Sequence, residues 1–274
     1  MAYEKRIIVL VDFSEYSENL LKYASDWGSK VDAELVLVHQ NNVLVPSLAD
    51  IQDRNKIIRN SNSETFDKLR DFAKPIISST LEVSYLASEL DLQEILEKLL
   101  TEPYHNMILL GTKNAGILKK IFLGSKAVHI IDKIKNSAVV LPGEIDSFSV
   151  NKIFVAVKQK YPLNILELNH FFKFINEKET EIVFFYIAKP EENVEEHKRN
   201  LEKLVELYAD NYQVDYAIYE SNVPSEGIKK VINNNETEIL VLQKGNRFVT
   251  DHIFRKFLVN ELVYVGDIPL VVLP

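Results

Sequence analysis

The sequence predicts an α/β protein built of two tandem five-stranded parallel-sheet sandwiches. Three observations carry that expectation. Short apolar runs rich in β-branched residues alternate with segments of helical period along the whole chain, as in a parallel sheet covered by helices. The strand runs are nearly continuous in apolar residues, which is how strands buried on both faces read. The chain also repeats: ILLGTKN…AVVLP in residues 108–142 corresponds without a gap to LVLQKGN…LVVLP in residues 240–274, offset by 132 residues at both ends.

The elements follow in order. KRIIVLVDFSE, residues 5–15, is an apolar run ending in a polar turn and reads as the first strand. Leu20, Leu21, Ala24, Trp27 and Val31 then share one face of a helix, with Ser14 or Ser17 as its expected N-cap. ELVLVH, residues 34–39, is a second strand. Residues 41–60 read as a loop with some helix, and residues 63–74 as a helix. LEVSYL, residues 81–86, is a third strand, and a helix over 90–100 opens with Asp91 and Glu94, carboxylates that favour the helix dipole. NMILL and AVVLP supply the last two strands of this half.

The second half repeats the plan. NKIFVAVKQKY, residues 151–161, opens it, and Ile165, Leu168, Phe171, Phe172 and Ile175 form a helical face. EIVFFYIA at 181–188, a helix over 194–210, VDYAIY at 214–219 and a helix over 225–231 follow. GEIDSFSV interrupts the pattern, so the expected organisation is a first domain at 1–142, a linker at 143–150 and a second domain at 151–274.

Composition excludes several classes of function. A chain of 274 residues, 46% apolar, can give each half its own core. The net charge of -8 argues against general affinity for nucleic acid, which rests on Lys and Arg neutralising phosphates. The absence of cysteine excludes disulfides, thiolate metal sites and a Cys nucleophile, and fits the cytoplasm. No run approaches the ~20 apolar residues of a membrane span, and no signal-peptide core is expected at the N-terminus. The histidines have no HxH or HExxH spacing and there is no GxSxG elbow, so neither a zinc site nor catalytic residues are expected.

In an open parallel sheet, ligands bind beyond the carboxyl ends of the strands where strand order reverses. That rule selects Asp12, Phe13 and Ser14 after the first strand, His39 and Gln40 after the second, and Gly111, Thr112, Lys113 and Asn114 after the fourth. GTKNAGILKKIFLGSK then has two readings. It is either a phosphate cradle, in which small residues expose main-chain N–H groups and Gly124 and Ser125 open the next helix, or a plain turn between strand and helix. A P-loop is excluded, because Ile117 and Leu118 follow Gly116 where Lys and Ser or Thr are required. VDFSEYS has no glycine, so the dinucleotide fingerprint is missing too.

VDFSE at the first strand, together with Gly111, two residues, Asn114, nine residues, Gly124 and Ser125, resembles the universal stress protein family in its tandem form. The spacing matches throughout, with Asn114 in place of the second glycine. The resemblance implies an adenine nucleotide alpha hydrolase-like, Rossmann-like fold with strand order 3-2-1-4-5. It implies ATP as the ligand, with AMP, ADP or no nucleotide as alternatives, and Mg2+ only where ATP is bound. Carried over position by position, Asp12 would meet the adenosine, Val38 would line the adenine, and Phe13 would belong to the same binding site. Gly111, Thr112, Asn114, Gly124, Ser125 and Lys126 would surround the ribose and phosphates. Asn114 is expected in a left-handed turn, since Asn substitutes most readily for glycine there.

The second half departs from that pattern. Gln243, Asn246, Lys256 and Phe257 stand for Gly111, Asn114, Gly124 and Ser125, and Lys158 falls near the place of Asp12. No nucleotide is expected there, and the half should instead pack on the first through the last strands. The resemblance therefore implies a stress-response binding module, regulatory and not catalytic. The alternatives are an interaction scaffold of the same fold or a weak ATPase. The expected partners are the other half of the chain, a second copy or a further protein, with no nucleic acid and no membrane.

Overall fold

The structure is a computed structural model that describes residues 4–115, 120–122, 125–158, 162–175, 180–234, 238–244 and 268–274. In the first half, β1 (Glu4–Leu10), α1 (Ser17–Val31), β2 (Ala33–Gln40), α2 (Ile51–Ala73), β3 (Val83–Ser88), α3 (Leu92–Leu99) and β4 (Tyr104–Gly111) follow one another. A small hairpin of β5 (Lys113–Ala115) and β6 (Lys120–Phe122) intervenes before α4 (Ser125–Lys133) and β7 (Ala138–Leu141). The second half runs β8 (Lys152–Ala156), α5 (Ile165–Phe172), β9 (Glu181–Ala188), α6 (Glu195–Tyr208), β10 (Gln213–Glu220), α7 (Pro224–Asn234), β11 (Ile239–Gln243) and β12 (Leu270–Leu273).

Among the described residues, ten strands form one sheet in the order β10-β9-β8-β11-β12-β7-β4-β1-β2-β3. Each half has the order 3-2-1-4-5, with all its pairs parallel. The two predicted sheets join because β12 pairs antiparallel with β7, Val271 lying opposite Val139. Both strands are buried along their whole length, so pairing covers two apolar edges that would otherwise invite association.

The strands present alternate residues to two cores. Ile7 and Val9 face one side with α1, α2, α5 and α6, while Ile8 faces the other with α3, α4 and α7. Each core runs through both halves. On α1 the buried Leu20, Leu21, Ala24, Trp27 and Val31 form the stripe read from the sequence. The helix stops at Asp32, which is left-handed (φ 54) and donates its N–H to Gly28 O.

Three local expectations change. Residues 51–60, read as mostly loop, are the first turns of α2, started by the Asp50 carboxylate accepting from Asp53 N at 2.8 Å. Those turns lie above the core, where only Leu69 and Ala73 of α2 are buried, so they carry little hydrophobic period. The N-cap of α1 is Tyr16, with no side-chain cap, and not Ser14 or Ser17. The linker is pinned down: Phe148 stacks on Trp27 with ring centroids 5.1 Å apart, and its N–H donates to Asp26 Oδ2.

Candidate functional site

The first half reverses strand order between β1 and β4, and a cavity of about 470 Å3 opens there at the carboxyl ends of the strands. That volume lies in the range of small-molecule sites. After β1 the chain continues one residue in register, Val11 N donating to Val38 O, and then turns at Asp12. The Asp12 carboxylate braces the turn into α1 without capping it: its Oδ1 accepts from Ser14 N at 3.0 Å and from Ser17 Oγ at 3.2 Å. This ties the entry of α1 to the end of β1 and holds a negative charge at the mouth of the cavity.

Of the predicted residues, Asp12, Val38, Gly111 and Thr112 all line this cavity. Val38 is fully buried between β1 and β3 and gives the cavity an apolar wall, extended by Leu10, Leu110 and Ile130. A Cβ at Gly111 would meet the Leu20 methyls at 3.8 Å, an ordinary contact, so the glycine keeps space open and no close approach demands it. Thr112 is 6% exposed, and its Oγ1 is buried without a hydrogen-bond partner. Leaving such a hydroxyl unsatisfied costs about 1–3 kcal/mol, so an orphan on a cavity wall marks where a ligand's polar atom fits.

Phe13 has a different place from the one expected. It does not appear on the wall of the cavity but packs behind it, its ring centroid 4.6 Å from that of His39 and 5.7 Å from that of Phe72, with Lys68 Nζ 4.2 Å over the ring. Its backbone is left-handed (φ 55), an unusual state for a bulky residue next to a site. His39 does line the cavity, and its Nδ1 lies 2.7 Å from Val11 O. A carbonyl only accepts, so Nδ1 carries the proton. Asn114 belongs to the extended strand β5, opposite Ile121, and not to a left-handed turn, because the loop closes as a hairpin at that point. Ser125 and Lys126 form the first turn of α4. Gly124, Gly116 and Lys119 lie outside the described residues.

The sequence reading missed Tyr16, Leu92 and Ile130, which also line the cavity. For Tyr16 and Leu92 the signal was positional, since each stands at the start of a helix that meets the carboxyl edge of the sheet. At the matching crevice of the second half, Lys158 Nζ reaches across to Gln243 O at 2.8 Å, and Gln243 Oε1 accepts from Asn164 N at 2.7 Å. Burial holds the Lys158 ammonium below the usual lysine range. The other second-half positions weighed, Asn246, Lys256 and Phe257, lie outside the described residues.

Against known proteins, the model of the Universal stress protein family matches residues 4–142, just over half of the chain. The chain belongs to the universal stress protein family. A solved universal stress protein from Archaeoglobus fulgidus DSM 4304 is similar over 98% of this chain and 97% of its own, at 18% identity and a TM-score of 0.67. A functionally unknown protein from Pseudomonas aeruginosa PAO1 is similar over 98% of this chain and 92% of its own, at 12% identity and a TM-score of 0.60. The cytoplasmic domain of a prokaryotic cation chloride cotransporter covers 98% and 95%, at 11% identity and a TM-score of 0.51. At these identities the likeness is one of fold. No curated protein matches significantly. Among the described residues of this universal stress protein family member, no helix is long and apolar enough to cross a membrane. Nor do three or more His, Asp or Glu side chains gather there as a metal site.

Proposed function

We propose that this chain binds an adenine nucleotide, ATP or a close relative, in the cavity between β1, β2 and β4, and that it acts as a regulatory binder and not an enzyme. The observation that carries the reading is the unpartnered, buried Thr112 hydroxyl on the wall of a ligand-sized cavity that also gathers Asp12, Val38 and Gly111. Val38, Leu10 and Leu110 offer an apolar surface for a base, while Asp12 and Thr112 offer hydrogen bonds to a sugar. Main-chain N–H groups at the start of α4 suit phosphate, and Gly124, Ser125 and Lys126 stand there in the sequence. Mg2+ would enter only with ATP, and Asp12 is the carboxylate among the described lining residues that could face it. The second half would be a fixed partner without nucleotide, consistent with the Lys158 bridge. A cytoplasmic setting goes with this reading and with the cysteine-free composition.

Calorimetry of the whole chain with ATP, ADP, AMP and cyclic nucleotides tests it. Thr112→Val keeps the shape and removes the hydroxyl, and should weaken binding about 3- to 10-fold, the worth of one hydrogen bond. Gly124→Trp should abolish it. Heat from none of these nucleotides would end the proposal, and product released over hours would end its non-enzymatic part. A second reading, an interaction scaffold, draws on Leu44, Leu48 and Ile51, which are 93%, 98% and 77% exposed at the entry to α2. Sedimentation of the wild type against Leu44→Ser with Leu48→Ser tests whether this patch joins two copies.

A further inference from the structure

Apart from the cavity, a group of ionisable side chains crosses the seam between the halves. His105 is the second residue of β4 in the first half, while Glu167, His170 and Lys173 come from α5 and its C-cap in the second. Lys173 Nζ lies 2.9 Å from His105 Nε2, and the two imidazoles are 5.4 Å apart between ring centroids. An ammonium has only donors, so this contact exists only while His105 Nε2 offers a lone pair, that is, while His105 is neutral. Protonation would set two donors and two positive charges against each other.

We propose that this contact is a proton-sensitive latch: protonation of His105 releases the end of α5 from the first half, while the β7–β12 ladder stays paired. The surrounding charges favour that outcome. Lys5, paired with His105 across β1 and β4, adds a cation, although its ammonium also donates to Val31 O at 2.6 Å. His170 adds a second titrating ring, and its Nε2 is buried without a hydrogen-bond partner. Glu167 opposes the release: its carboxylate is 3.8 Å from His170 Nδ1, but it is also engaged by Ser137 Oγ at 2.9 Å. Burial first, then Lys173, holds both histidines below the ordinary range. The folded chain therefore takes up these protons less readily than the unfolded one. The contact contributes fully above about pH 6.5 and is lost as pH falls through the lowered values.

The molecule carries its own reporter. Trp27 is the sole tryptophan, it is 1% exposed, and its Nε1 donates at 2.7 Å to the carbonyl of Phe174, the residue after Lys173. Emission maximum and acrylamide quenching of the whole chain would be compared at pH 7.5 and pH 5, with far-UV circular dichroism alongside. The wild type should shift to the red at pH 5 and quench at least about twofold more, the rise expected when a buried indole loses its cover. His105→Gln, whose amide oxygen still accepts from Lys173 without titrating, should hold its pH 7.5 signal. Should that variant not fold, Lys173→Met, at an exposed position, decides, because it removes the opposing cation and should flatten the response. An unchanged Trp27 signal in the wild type at pH 5 would overturn the proposal. So would the same acid response in the variants, whether local or part of global unfolding.

Discussion

At the residue scale, the chain shows how one side chain can settle several demands. Arg6 is 2% exposed at the amino end of β1, opposite the cavity, and every face of its guanidinium is used. It donates to Asn106 Oδ1 at 2.7 Å, Glu102 Oε2 at 2.6 Å and Leu99 O at 2.6 Å, and lies 4.1 Å over the Tyr104 ring. Glu34, 3.8 Å away, is raised in pKa by burial and held back by Arg6. Arg6→Ala should therefore cost about 1–3 kcal/mol in urea unfolding, because it leaves the buried Asn106 Oδ1 without its donor. A loss under 1 kcal/mol would mean the network is replaceable by water. Asp32 predicts the opposite sign. It is exposed and left-handed, so Asp32→Gly should raise stability by about 0.5–1 kcal/mol, seen as a higher urea midpoint at unchanged slope.

At the scale of elements, the segment between the halves is the instructive one. GEIDSFSV has the composition of a linker, yet Phe148 is 3% exposed and stacked on Trp27, with Tyr23 at its edge. Lys30 Nζ and Asn19 Nδ2 hold the carbonyls of Phe148 and Gly143. Phe148 stands between two serines, and with Ile145 and Val150 it makes too short a pattern to show a period, so sequence alone does not reveal that it enters the core. Phe148→Ala should lower stability by about 3–5 kcal/mol, measured by thermal or urea unfolding; a change below 1 kcal/mol would mean that this ring does not hold the linker to the core. The start of α2 was hidden for the converse reason, because a helix that faces solvent has no apolar stripe to read.

At the scale of the whole molecule, the halves are joined by strand, core and side chain together. Beyond the β7–β12 ladder, Lys244 Nζ of the second half donates to the carbonyls of Ile131 and Ile134 at the end of α4 in the first. If β12 covers an edge that needs covering, the fragment 1–142 should associate with itself through β7. Sedimentation of that fragment should give a dimer, which Val139→Lys should return to monomer. A monomeric fragment with unchanged circular dichroism would show that β7 tolerates exposure.

The alternation of apolar runs and helical faces, and the repeat over residues 108–142 and 240–274, were enough to specify an α/β chain of two like halves, because burial on both faces of a strand writes itself locally. The same reading placed Asp12, Val38, Gly111 and Thr112 at one crevice, since strand ends follow from strand positions. Only the tertiary structure decided that Asp12 anchors α1, that Phe13 stands behind the wall and not on it, and that two sheets are one. Those features depend on which distant groups meet, and a partner many residues away leaves no period in the local sequence.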